Sequence, residues 1–233
     1  MNNTTAEAPY STSRATCIIL GACLHMMICG STYMMGSISP YIASYFQVSI
    51  GQAMLLLPIL TAFQTVIMAF GAQFIARFNG KTVLAISGTI ATMSMTLASF
   101  VPRSGFPFFA VCLSGGMGLC IGLSYTTPIR LGWKAMPARS GLISGLIIGG
   151  FGVGSLIFTA LGTLIVNPDN LSQIASVSTT TGMIVEGFPE EVAMRVPLLL
   201  RWVAFGYAIL TVLAQMLIRE HTDATTHQEN STV

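Results

Sequence analysis

Apolar residues run along this chain in six long blocks separated by short polar breaks. The blocks extend from about Thr16 to Ile38, Gly51 to Ala76, Thr82 to Val101, Phe106 to Ile129, Gly141 to Val166 and Val196 to Ile218. A helix needs roughly 20 apolar residues to cross the hydrocarbon core of a bilayer. Inside that core each backbone N–H and C=O must find an internal partner, so blocks of this length are helices. Barrel strands would be shorter and would alternate apolar with polar positions. The pattern predicts an all-α membrane protein, a six-transmembrane-helix bundle over residues 16–218, with a polar tail before it (1–15) and another behind it (219–233). Most breaks are short, which makes successive helices antiparallel neighbours. The exception is the segment 167–195, which carries the run Ser178-Thr179-Thr180-Thr181 and the glycosylation triplet Asn170-Leu171-Ser172. A connection that long is usually functional or mobile. The second tail is polar, rich in threonine and acidic residues, and is expected to be disordered.

Charge then orients the bundle. Only 8% of the residues are charged and 53% are hydrophobic, against roughly 25% charged in a soluble domain. A net charge of +2 suggests no nucleic-acid partner. Arg14, Arg77, Lys81, Arg130, Lys134, Arg139 and Arg219 fall on one side of the predicted bundle, and Arg103, Arg195 and Arg201 on the other. Basic residues in short loops stay in the cytoplasm. Both tails are therefore expected there, with the loop 167–195 and its Asp169, Glu186, Glu190 and Glu191 outside.

Chemistry is sparse. Cys17, Cys23, Cys29, Cys112 and Cys120 all lie in apolar blocks, so they read as small packing residues with no disulfide. No metal-ligand spacing, cofactor motif, nucleotide-binding glycine loop or hydrolytic triad occurs. Nearly all of the eight acidic residues lie in the tails or the outer loop, which argues against an enzyme.

The faces of the helices are more informative. Gly21, His25, Cys29, Thr32 or Tyr33, and Gly36 recur every three to four residues along the first block and share one face. A polar stripe should turn away from lipid, and an ionisable group within a span is a functional candidate. His25 is such a group, and imidazole titrates near neutral pH. Tyr33 and Tyr125 lie within the membrane, where a buried hydroxyl seeks a partner. Each of the three could line a solute pathway or bond to a neighbouring helix. Gly118 and Gly122 on the fourth block, and Gly141, Gly145 and Gly149 on the fifth, are spaced for close helix packing. Pro128 and Pro137 are expected to bracket a stiff loop holding Arg130, Lys134 and Arg139. Arg201 is expected to reach the outer interface beside Trp202.

Several stretches carry a resemblance. Gly30-Ser31-Thr32-Tyr33 and Ile38-Ser39-Pro40-Tyr41-Ile42-Ala43-Ser44-Tyr45-Phe46 resemble the first helix and outer loop of major facilitator transporters. Gly132-Trp133-Lys134-Ala135-Met136-Pro137-Ala138-Arg139-Ser140-Gly141-Leu142 resembles the turn into helix five of the oxalate/formate antiporter and monocarboxylate porter group. Gly149-Gly150-Phe151-Gly152-Val153-Gly154-Ser155, Val166-Asn167-Pro168-Asp169-Asn170-Leu171 and Arg195-Val196-Pro197 fit the same group. The loop Arg77-Phe78-Asn79-Gly80-Lys81 is similar to the superfamily signature between helices two and three, so the resemblance implies Arg77, Gly80 and Lys81 there, and Arg139 in the turn into helix five, as cytoplasmic loop motif residues. Ala76 and Ala138 stand where that pattern has acidic residues.

The resemblance implies the N-terminal half of a twelve-helix fold, with the solute held between two six-helix bundles. It implies transport of a small organic anion, of the monocarboxylate or oxalate/formate type, by alternating access, with His25, Tyr33 and Tyr125 lining the site from this half. A second bundle is then required, from a C-terminal half or a homodimer. Two other readings stay open: a non-transporting membrane protein that binds or regulates a full-length transporter, and an incomplete gene model.

Overall fold

A computed structural model describes residues 11–177 and 184–218. The Ser178–Thr181 run, the tail from Arg219 onward and most of the N-terminal tail lie outside the described residues. Among the described residues, six helices are long and apolar enough to cross a membrane. They are α1 (Thr12–Phe46), α2 (Leu56–Arg77, entered through the helical turn Ile50–Met54), α3 (Gly80–Ser99), α4 (Phe106–Ala135), α5 (Ser140–Val166) and α6 (Val196–Leu217). The protein is thus a multi-pass helical membrane protein.

Two helices run past the ends expected from hydropathy. α1 continues through Pro40 to Phe46, and α4 continues through Pro128 to Ala135. Pro128 therefore does not border the loop. The helix breaks at Tyr125 and restarts at Thr126, so the proline falls in a first turn, where its missing N–H is tolerated. Only Pro137 lies in the turn between α4 and α5, within the 3-10 segment Pro137–Arg139.

Local windings set which residues face which way. A 3-10 turn, Ser31–Tyr33, interrupts α1. A 3-10 turn advances about 20° more per residue than an α-helix. Thr32 consequently stays buried while Tyr33 and Gly36 turn outward. The single polar face expected for α1 is therefore split: Gly21, His25, Cys29 and Thr32 point inward, and Tyr33 and Gly36 do not. In α4 a π-helical turn, Val111–Gly115, widens the spiral. Ser94 on α3 donates to the Cys112 carbonyl of that turn at 2.7 Å.

Glycines decide which helices touch. Gly118 and Gly122 bring α4 onto α2: a methyl at Gly118 would lie 2.8 Å from the Leu60 carbonyl oxygen, and one at Gly122 equally close to that of Gln64. On α5 the contacts fall elsewhere than expected. Gly141, Gly145 and Gly149 face open space, with nothing that an added methyl would meet. The helix packs on α1 through Gly150 and Gly154 instead, against the backbone of Cys23 and Met27. The glycine run offers more than one i, i+4 series, and spacing alone does not choose between them. α1 reciprocates with Gly30, seated against the Phe151 backbone.

The main core lies towards one end, where Ile38, Ile42, Phe46, Phe109, Leu199 and Tyr207 meet. A smaller cluster of Ala15, Ile18, Leu84, Leu131, Ala135 and Ile218 closes the other. Ala15 and Ile218 lie together there, so the first and last described residues share one end of the bundle. The long connection between α5 and α6 is not structureless. It forms an antiparallel hairpin, β1 (Ile174–Val177) with β2 (Ile184–Gly187), pairing Ile174 with Gly187 and Val177 with Ile184. Beyond it the Phe188 N–H donates to Ser44 Oγ at 2.9 Å, and its ring packs on Tyr41 with centroids 4.4 Å apart. Glu190 pairs with Arg103 at 3.1 Å, and that guanidinium lies over the Tyr45 ring. The connection is strapped across the end of α1. Asn167 closes the turn before the hairpin, bonding both the N–H (2.8 Å) and the C=O (3.0 Å) of Leu171.

Candidate functional site

His25 is only 1% exposed and sits where α1, α3 and α4 meet. Its Nε2 lies 2.9 Å from Ser124 Oγ on α4 and 3.3 Å from Ser87 Oγ on α3. Both hydroxyls already donate to carbonyls of their own helices, Ser124 to Cys120 and Ser87 to Leu84. While those bonds hold, the serine oxygens accept from the imidazole. In that arrangement the proton of a neutral His25 sits on Nε2; with either hydroxyl turned to the ring, Nε2 accepts instead. Nδ1 is left buried with no hydrogen-bond partner. One turn on, Cys29 is buried, and Ser31 Oγ bonds to the Tyr207 hydroxyl of α6. His25 and Ser31 thus join α1 to three other helices in the interior.

The two tyrosines lie on a different surface. Tyr33 is 56% exposed, and its ring meets Phe151 of α5 edge-on with centroids 5.6 Å apart. Tyr125 of α4 meets the same ring at 6.4 Å, again nearly perpendicular. Three helices so contribute to one row of rings, Tyr33, Phe151 and Tyr125. Neither tyrosine hydroxyl bonds to a described residue. Gly36 and Ser37 of α1 are exposed near Tyr33, and the open glycines of α5 (Gly141, Gly145, Gly149 and Gly152) carry no side chain that would cover their helix. Small and polar groups of this kind suit contact with a solute or another protein surface better than contact with acyl chains.

The structure therefore brings Tyr33 and Tyr125 together through Phe151 and places His25 inside the bundle. Phe151 is not among the candidate site residues that the sequence singles out. Its signal was a single large ring within a run of glycines, Gly149-Gly150-Phe151-Gly152. The remaining candidates are spread out. Arg77 ends α2, Gly80 begins α3, and Arg139 is exposed in the 3-10 turn. The backbone carbonyl of Lys81 accepts from Gln215 of α6 at 3.2 Å. Arg201 stacks over Phe100 at 4.9 Å, away from the row of rings. Among the described residues no group of three or more His, Cys, Asp or Glu side chains is arranged to hold a metal ion.

Fold and surface define a six-span membrane protein, and its relatives are named as transporters. The chain is 28% identical over 144 residues to apicoplast pyruvate carrier 1 of Toxoplasma gondii, a match covering 60% of this chain and 26% of that protein. It is 31% identical over 93 residues to monocarboxylate transporter 9 of Rattus norvegicus, covering 40% of this chain and 18% of that one. Monocarboxylate transporter 9 of Pongo abelii matches at 33% over 92 residues, covering 40% of this chain and 18% of that protein. The matches thus span about a quarter or less of these curated relatives' own length. No protein-family profile matches the chain, and no solved structure does.

Proposed function

We propose that this chain carries a small organic anion of the monocarboxylate class across a membrane, as the N-terminal six-helix half of a major facilitator fold. The observation that carries the reading is the row Tyr33–Phe151–Tyr125, whose two hydroxyls bond to no described residue, with Gly36 and Ser37 exposed a turn beyond Tyr33. Phenol hydroxyls donate hydrogen bonds to a carboxylate, and the Phe151 ring holds both at a fixed separation. A second six-helix bundle would cover this face and enclose the solute, and rocking of the two about it would give alternating access. His25 acts here as a positioning residue, fixing α1 against α3 and α4 so that Tyr33 keeps its orientation. The names of the relatives, a pyruvate carrier and monocarboxylate transporters, support the substrate class. They also support a carrier over an enzyme, and a carrier of pyruvate in an organelle makes an organelle membrane a reasonable first place to look.

Counterflow of labelled pyruvate in proteoliposomes tests this. Saturable exchange is expected only when a second bundle is reconstituted with the chain, and exchange by the isolated monomer contradicts the reading. One observation favours a rival: no described cation lies on the row of rings, where a carboxylate would gain most. If co-reconstitution with a full-length monocarboxylate transporter lowers that transporter's exchange, and no second bundle restores any, the chain is a regulatory partner.

A further inference from the structure

The end of the bundle away from the hairpin is basic and, among the described residues, carries no carboxylate. The described acids, Asp169, Glu186, Glu190 and Glu191, all follow α5 at the opposite end, where the described ion pairs are Arg103–Glu190 and Arg195–Asp169. Arg130 and Lys134 lie at i and i+4 in the last segment of α4, Thr126–Ala135, and both are exposed. Side chains at that spacing emerge on one face about 6 Å apart. Arg139 is exposed just beyond, across the turn. Trp133 stands beside them with its indole N–H on Ser144 Oγ at 2.7 Å, which pins the ring between α4 and α5.

Like charges held this close repel one another unless an anion sits among them. A span end flanked by an indole lies at headgroup depth, where lipid phosphates are concentrated and attract basic segments. We propose that Arg130, Lys134 and Arg139, with Trp133, form a site for the headgroup of an anionic phospholipid in the adjoining leaflet. The cations take the phosphate, and the indole packs along the glycerol region. This inference does not rest on the transport reading.

The sequence itself supplies the probe. The chain has two tryptophans, Trp133 at the basic end and Trp202 at the start of α6. The full chain carrying Trp202→Phe is reconstituted in mixed phosphatidylcholine and phosphatidylglycerol vesicles, with brominated acyl chains on one lipid or the other. Brominated phosphatidylglycerol is expected to quench Trp133 with about three- to tenfold the apparent affinity of brominated phosphatidylcholine. Neutralising the site with Arg130→Gln, Lys134→Gln and Arg139→Gln together is expected to bring the ratio to about one. Quenching by brominated phosphatidylcholine should persist in that variant, which shows that it is still folded and inserted, and the single variants should each lower the ratio part of the way. In the Trp133→Phe chain, Trp202 should show no preference. The proposal is overturned by equal preference at both indoles or by a preference surviving the triple substitution. It is also overturned if inorganic phosphate at constant ionic strength abolishes the preference, which gives the site to a soluble anion. A preference that emerges only when residues 219–233 are deleted gives it to the acidic tail and overturns it as well.

Discussion

A histidine in a lipid-embedded bundle has to have its polar edges satisfied, and His25 has one satisfied and one not. Its Nε2 lies within hydrogen-bond distance of two serine hydroxyls, while Nδ1 faces the interior without a partner. Replacing His25 by Ala removes those bonds and leaves a cavity, so stability should fall by about 2–3 kcal/mol. Ser87→Ala removes the longer bond alone and should cost about 0.6 kcal/mol, near the mean for polar contacts between spanning helices. Thermal unfolding in detergent measures both. Wherever uptake is reconstituted, His25→Ala should depress it more than Cys29→Ala, and equal losses would reduce His25 to ordinary packing. That this histidine turns into the bundle was legible in the sequence, because a polar stripe within a span turns away from lipid. That it bonds to Ser87 and Ser124 was not, since both partners come from helices whose rotation no single segment reveals.

Among the elements, glycine is where pattern and packing part company. Gly150 and Gly154 touch α1, yet they belong to the same run as Gly141, Gly145 and Gly149, which meet nothing. Gly154→Ala drives a methyl into the Met27 backbone and should destabilise the bundle by about 1–3 kcal/mol. Gly145→Ala should be neutral or stabilising by up to about 1 kcal/mol, since Ala favours the helix and no neighbour is displaced. Urea or thermal unfolding of the two variants side by side decides it, and equal destabilisation would mean that α5 is rotated from the arrangement described. The existence of all six helices followed from hydropathy and the need to pair backbone groups. Their ends were less legible where a proline fell inside: Pro40 and Pro128 both lie within continuing helical segments. The 3-10 turn at Ser31–Tyr33 had no sequence mark at all, although it decides that Tyr33 rather than Thr32 reaches the surface.

For the molecule as a whole, the first and last described residues lie at the same basic end, as an even number of spans requires. Epitope tags on the two tails should therefore be labelled from one side of the membrane, and from the cytoplasm if the basic loops orient the chain. Labelling from opposite sides would rule out six spans. The opposite end bears the strap, whose anchors differ in strength. Arg103 and Glu190 are both solvent-exposed, and such a pair contributes little, so Arg103→Gln should shift stability by less than about 0.5 kcal/mol. Phe188 is packed on Tyr41 and bonded through its backbone to Ser44, so Phe188→Ala should loosen the hairpin and speed its cleavage by added protease. The strap also gives α1 a handle outside the bilayer. Tyr41 and Ser44 lie on the same helix as Tyr33, so a force applied to the hairpin reaches the aromatic row through one stiff lever. An antibody fragment raised against the hairpin would hold that lever still, without itself entering the membrane.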